Sequence, residues 1–205
     1  MPHSEHYRLL IDRCNKLGKA LLPRNYSPTG NYKESTYERV RGFKLLVHAE
    51  LEYYFEELVK AMMENAKTKW YNNGEATKTL VALVAYCDTQ FHAIPDKVND
   101  QHAKEDLEFR IKKAFQTQYE YIQAKNHGIK ENNIIALFLP VGVDINDLDN
   151  NLLIALDNLG SERGQIAHKT RAKQCPSPSD AITSVVHILE MVGSFDTDIF
   201  NEYLS

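Results

Sequence analysis

Apolar residues recur three and four positions apart through most of the chain, which is the spacing that one face of a helix requires. Alternation of β-branched and polar residues is scarce, so the pattern predicts an all-α bundle without a substantial sheet. The predicted helices cover residues 4–21, 35–67, 76–93, 104–126 and 147–159, and a last helix follows a cap at Pro176–Asp180. The second helix is the longest and should form the spine of the bundle.

Two segments are less regular. The apolar run Asn133–Leu139 precedes a proline and fits either a buried helical turn or a loop. Gly160 follows the 147–159 helix and predicts its end, so that a separate short element would carry Arg163 and His168.

The length and composition indicate one folded domain. A chain of 205 residues can bury a sizeable core, and 43% hydrophobic with 25% charged residues is an ordinary globular balance. We therefore predict a single domain over residues 1–205, with its core at about 35–204 and an N-terminal helix and loop over 1–32.

Charge and cysteine content narrow the setting of the protein. The net charge of -4 excludes a global basic field, so any nucleic-acid contact must come from a local patch. Three dispersed cysteines without a C-x-x-C pair favour a reducing compartment. Neither a leader-like apolar segment nor a membrane-length apolar run occurs, which predicts a cytoplasmic protein without membrane contact.

Common site motifs are absent. The sequence has no H-E-x-x-H motif, no phosphate-binding P-loop and no G-x-G-x-x-G turn, so it predicts neither a metal nor a cofactor. The local basic patch lies instead at residues 163–173, which contain no Asp or Glu and carry Arg163, Lys169, Arg171 and Lys173. A solvated basic loop with Ile166 and Ala167 turned inward is the alternative interpretation.

In two pairs an Arg precedes a His with four to six residues between them. Arg41 and His48 lie inside one long predicted helix, two turns apart, and are interpreted as a structural row. Arg163 and His168 instead follow a leucine-rich helix, lie among the basic residues and precede a newly capped helix. This context favours the second pair as the functional one.

The segment from Leu156 to Lys169 resembles the signature of HEPN domains, in which an Arg and a His separated by four to six residues precede the last helix of a small bundle. Residues 41–53 are similar to the RiboL-PSP-HEPN subgroup, and together the two segments anchor most of the chain from residue 35 onward. Many HEPN proteins have Asn directly after the motif Arg, where this chain has Gly164.

Arg and His side chains can cleave RNA without a metal. An imidazole can take the proton of a ribose 2′-hydroxyl near neutral pH, and a guanidinium can hold the extra negative charge of the phosphorane. The products would be a 2′,3′-cyclic phosphate and a free 5′-hydroxyl. The resemblance implies a homodimer with two motifs facing one cleft, in which the second His168 could protonate the leaving oxygen.

Glu50 interrupts the apolar stripe of the spine helix, and a carboxylate there needs a partner. It either forms a structural salt bridge or orients Arg163 or His168, whereas His48 is interpreted as a packing residue.

The leading hypothesis is a toxin-like or defence-associated endoribonuclease, restrained by an antitoxin or another regulatory protein. The alternatives are a non-catalytic HEPN module that binds RNA or a partner protein, and a structural helical protein in which the Arg163/His168 pair arose by chance.

Overall fold

The computed structural model of the protein describes residues 3–27, 29–87, 106–168 and 176–204, with the backbone alone for residues 167 and 168. All regular structure in these ranges is helical, which confirms the predicted all-α class. The α-helices are α1 (Glu5–Leu21), α2 (Glu34–Asn73), α3 (Lys78–Tyr86), α4 (Leu107–Ala124), α5 (Glu131–Phe138), α6 (Asn150–His168) and α7 (Pro178–Ile199). None of these helices is both long and apolar enough to span a membrane.

Helix α2 is the spine of the bundle, as predicted. Its 40 residues pack against all six other helices, and it contributes a buried side chain at nearly every turn from Val40 to Ala66. Near its middle, Phe55 packs edge to face against Phe138, which in turn packs against Phe195 of α7. The helix continues past the predicted end at residue 67 and stops at Gly74, whose φ of 68° is a left-handed cap.

Helix α1 belongs to the same core, since Leu10 and Cys14 are buried in it. The start of α1 is held by the buried carboxylate of Asp196 in α7. This carboxylate accepts hydrogen bonds from the Ser4 backbone N–H at 2.8 Å, the Ser4 hydroxyl at 2.5 Å and the Tyr54 hydroxyl at 2.9 Å. A buried carboxylate needs such donors, and here they join α1, α2 and α7.

The middle of the chain departs from the predicted boundaries. Helix α3 begins after Thr77, whose side chain accepts the N–H of Leu80. It ends at Tyr86, where Cys87 is extended, so the prediction of a helix that continues to residue 93 is wrong. Residue 93 itself lies outside the described residues. The undecided run at 133–139 is helical, because α5 buries Ile134, Leu137 and Phe138 before a short 3₁₀ turn at Leu139–Val141.

The prediction that the helix starting near residue 147 ends at 159 is wrong. Helix α6 runs without a break from Asn150 to His168, through Gly160 and Gly164. A glycine inside a helix costs about 1 kcal/mol relative to alanine, which packing can offset. Arg163 and His168 therefore lie on one helix, and no separate short element exists.

Candidate active site

A pocket of about 400 Å³ opens where α6 crosses α2 beside the connection between α4 and α5. It is lined by His48 from α2, by His127, Gly128, Lys130 and Asn133 from the connection and α5, and by Gly160, Ser161, Arg163, Gly164 and Gln165 from α6. None of these described lining residues is Asp or Glu. The pocket therefore presents cationic and neutral polar groups to whatever enters it.

Gly160 sets the distance between α6 and its neighbours. A β-carbon at this position would lie 3.0 Å from Cγ of Lys130 and 3.9 Å from Nε2 of His48. The backbone of α6 can approach Lys130 this closely because glycine has no side chain. One turn earlier, the Asp157 carboxylate accepts the backbone N–H of Glu131 at 2.8 Å and ties α6 to the start of α5.

Arg163 is an exposed cation of the pocket, as is Lys130. Arg163 forms no ion pair with a described residue, and its charge acts on two groups of α2, the buried His48 and the half-buried Glu52. An arginine beside an open cavity and without a carboxylate partner is well suited to bind an anion from solution.

His48 is buried, with 3% of its surface exposed, yet it lines the pocket. Its Nδ1 lies 3.7 Å from Oε2 of Glu52, and its Nε2 lies on the side of Gly160. Burial and then the charge of Arg163 lower the pKa of His48 to about 4. The imidazole is therefore neutral near neutral pH.

Glu52 lies behind His48 and holds the connection between α4 and α5. Its carboxylate accepts the backbone N–H of Gly128, which places the loop against α2. Burial and then the neighbouring Glu56 raise the pKa of Glu52, and the charges of Arg163 and His127 oppose this shift only in part. Glu56 in turn accepts a hydrogen bond from Nδ2 of Asn126 at 2.8 Å.

A second charged contact joins α2 and α6 next to the pocket. The ammonium group of Lys44, a residue with 4% of its surface exposed, forms an ion pair with Glu162. Since each charge is compensated by the other, this pair leaves the cations of the pocket largely unopposed.

The structure brings together only part of the predicted site. Arg163 lies in the pocket, and His168 lies five residues further along the same helix, where only its backbone is described. The predicted RNA-binding residues Lys169, Arg171 and Lys173 lie outside the described residues. The roles of His168 and of these three residues stay predictions.

Glu50 takes the structural alternative. Its Oε1 accepts hydrogen bonds from Nε and Nη2 of Arg13 in α1 at 3.1 and 2.9 Å. Residues two positions apart point to nearly opposite sides of a helix, so Glu50 lies away from the side of α2 that carries His48. The structure thus does not support Glu50 as the carboxylate that orients Arg163.

Sequence reasoning missed Glu52 and undervalued His48 as site residues. Lys44, His48 and Glu52 are spaced by four, so they share one face of α2. Three polar residues along one face of a helix that is otherwise largely apolar indicate a polar contact with another element. The sequence did not indicate which helix would pack against this polar face.

We expect the buried imidazole to make the protein acid-sensitive. The pKa of His48 in the folded protein, about 4, lies below the ordinary value in the unfolded chain. The unfolded chain therefore binds this proton first, and stability falls as the pH drops from about 6.5 towards 4. Urea unfolding at pH 7.5 and 4.5 should show roughly 2 kcal/mol less acid-induced loss for His48→Gln than for the wild type. Equal losses of unfolding free energy in both proteins would contradict the lowered pKa of His48.

The sequence matches the family model RiboL-PSP-HEPN over residues 9–201. No significant match occurs among curated proteins or among solved structures. Proteins with HEPN domains are often ribonucleases or RNA-binding modules, and many form dimers. The match begins within α1, covers the other six helices and the pocket, and confirms the family predicted from residues 41–53 and 156–169. The chain belongs to the RiboL-PSP-HEPN family.

Proposed function

We propose that this protein is a metal-independent endoribonuclease whose active site is built around Arg163 and His168. The observation that carries the proposal is the pocket in which Arg163 stands beside Lys130 and His127 without an acidic lining residue. A cavity of this charge favours a polyanion, and family membership makes RNA the expected one.

The proposed reaction is an attack of the ribose 2′-oxygen on the adjacent phosphorus. The imidazole of His168 takes the 2′-hydroxyl proton, a new P–O2′ bond forms, and the P–O5′ bond breaks after the leaving oxygen is protonated. Arg163 stabilises the additional negative charge on the phosphorane oxygens. The products are a 2′,3′-cyclic phosphate and a 5′-hydroxyl, and DNA is not a substrate because it has no 2′-hydroxyl.

The basic residues around Arg163 would bind the flanking RNA. Lys130 and His127 lie in the pocket, and Lys169, Arg171 and Lys173 follow His168 along the chain. Each cation that meets a phosphate adds a contact whose strength falls with salt. Phosphate contacts fix the position of the strand without reading its bases.

A homodimer would complete this site with the leaving-group acid, supplied as His168 of the second copy. The exposed face of α6 supports such an arrangement. Ile154 has 60% of its surface exposed and lies on the same helix face as Ser161 and Gln165, which line the pocket. A second copy seated on this face would bury Ile154 and bring the two pockets together. A toxin-like or defence role, with an antitoxin or another regulatory protein restraining the cleavage, would fit such an enzyme.

The second candidate function is a HEPN module that binds RNA without cleaving it, or binds a partner protein. The observation in its favour is Gly164, which lines the pocket at the place where many HEPN proteins carry Asn. An Asn side chain could hold a substrate group there, and glycine offers none. Retention of RNA without cleavage would favour this function.

The purified protein should cleave single-stranded RNA in the presence of EDTA, because neither proton transfer to an imidazole nor charge stabilisation by a guanidinium uses a metal. Mass spectrometry of the fragments should find 2′,3′-cyclic phosphate ends. Ends with 3′-hydroxyl and 5′-phosphate groups would instead indicate attack by water and would contradict the mechanism. A DNA strand of the same sequence is the control and should stay intact.

Substitutions at the proposed catalytic pair should abolish cleavage. His168→Ala removes the base, and Arg163→Lys keeps the charge but loses the planar fork that matches two phosphate oxygens. Loss of either group typically costs about 100-fold or more in rate. The exposed positions His187 and Arg39 provide matched controls, and His187→Ala and Arg39→Lys should cleave at the wild-type rate. Wild-type activity of Arg163→Lys would show that charge alone suffices.

Light scattering of the wild type at micromolar concentration should give the mass of a dimer. Ile154→Asp should shift it to a monomer, because a carboxylate buried in an interface without a partner is strongly unfavourable. Val81→Asp, at an equally exposed apolar position of α3, should leave the dimer unchanged. A monomeric wild type would remove the shared-cleft model.

A further inference from the structure

We propose that His48 is a second functional imidazole of the pocket, which takes up a proton when a phosphate group binds beside Arg163 and then donates a hydrogen bond to that phosphate from Nε2. The proposal rests on the proposed function for the identity of the natural ligand, the phosphate of an RNA strand. It does not depend on cleavage, because proton uptake accompanies binding.

The two ring nitrogens of His48 face different surroundings. Nδ1 lies 3.7 Å from the Glu52 carboxylate, close enough for a favourable charge interaction once the ring carries a proton. Nε2 lies on the side of Gly160, 3.9 Å from where a β-carbon would stand, and His48 lines the pocket there together with Lys130. A doubly protonated ring would thus have an acceptor beside Nδ1, and its Nε2 could donate to an anion bound in the pocket beside Lys130 and Arg163.

The charged groups around His48 decide when it holds a proton. On α2 itself, Glu52 favours the charged ring, and Lys44 is compensated by Glu162 of α6. Arg163 of α6 opposes the charged ring, and Lys130 and His127 of the α4–α5 connection line the same pocket. In the empty pocket, burial and then the charge of Arg163 prevail. A bound phosphodiester would bring one negative charge that offsets the charge of Arg163, and a dianion such as sulfate would have a larger effect.

The pKa of His48 in the protein without a bound anion agrees with this balance between favourable and unfavourable charges. Burial and then the charge of Arg163 hold the pKa of His48 at about 4. A phosphate beside Arg163 offsets the second cause and adds an attraction of its own, so the pKa of His48 should rise. By reciprocity, an anion that promotes protonation must itself bind more tightly as the pH falls.

The role of His48 would differ from that of His168. The proposed base must start neutral and accept a proton from the substrate, whereas His48 would gain its proton from solvent on binding and present it to a phosphate oxygen. A charge-assisted hydrogen bond of this kind is shorter and stronger than a neutral one. It would act only when the pocket is occupied.

Sulfate is a suitable probe, since it stays a dianion across the titration and cannot be cleaved. Histidine ring resonances of the full chain would be followed by NMR against pH, with His48→Gln identifying the His48 signal. In sulfate the pKa of His48 should rise from about 4 to about 5 to 7, so that the bound imidazole is protonated mainly in mildly acidic solution. Sodium chloride at the same ionic strength controls for general screening.

Two variants separate this coupling from a general charge effect. Arg163→Gln should raise the pKa of His48 in the absence of sulfate, because one opposing charge is gone, and sulfate should then move it little further. Arg13→Gln removes a cation that pairs with Glu50 outside the pocket, so it should titrate like the wild type. A similar response in both variants would overturn the role of Arg163.

Three results would overturn the proposal: no change of the His48 pKa in sulfate, an equal change in chloride, or failure of sulfate to bind. The test is independent of catalysis, as His168→Ala should keep the sulfate response even though it loses cleavage. A wild type that responds to sulfate but leaves RNA intact would refute the ribonuclease and retain the proton-coupled pocket. Cleavage without a sulfate response would do the reverse.

Discussion

The close approach of α6 to Lys130 and to His48 of α2 at Gly160 is the constraint on which the pocket depends. It brings the charge of Arg163 near the buried imidazole of His48 and the half-buried carboxylate of Glu52. Polar groups removed from water are unfavourable unless they find partners, and here the partners come from α6 and from the connection between α4 and α5. Lys44 is matched by Glu162, Glu52 by the N–H of Gly128, and Glu56 by Asn126. His48 is accommodated differently, by losing its proton.

Much of the fold could be predicted because most helices show the helical spacing of apolar residues and begin at a recognisable capping residue. Helix α1 begins where Ser4 caps it, and α7 begins where Ser177 accepts the N–H of Asp180. The predicted end of the 147–159 helix was wrong because tertiary packing overrides the local rule that a glycine ends a helix. Gly160 is a sound stop signal in isolation, yet in α6 it is the contact that lets the helix pack against Lys130. Whether a glycine ends a helix or permits a close contact depends on neighbours distant in the sequence.

Only the α6 part of the candidate site could be predicted from the sequence. Arg163 could be selected because its surroundings in the sequence are basic and because the segment resembles a known family. Its partners on α2 could not, since the choice between Glu50 and Glu52 depends on which side of the helix faces α6. Glu50 attracted notice as the carboxylate within an apolar stripe, and Arg13 of α1 satisfies it there. A difference of two residues on a helix thus decides between a structural ion pair and a site residue.

An acidic protein can still present a site for an anion, because charges are felt over a limited range. At physiological ionic strength, exposed charges more than about 8 Å apart are largely screened from each other, so the net charge of -4 says little about one pocket. What matters is the local sum, and the pocket sets Arg163, Lys130 and His127 against no acidic lining residue. The carboxylate of Glu52 stands behind the imidazole of His48 and not in the cavity. From that position it can stabilise a proton on His48 without facing the proposed phosphate directly, which is the arrangement that the proposed anion site would require.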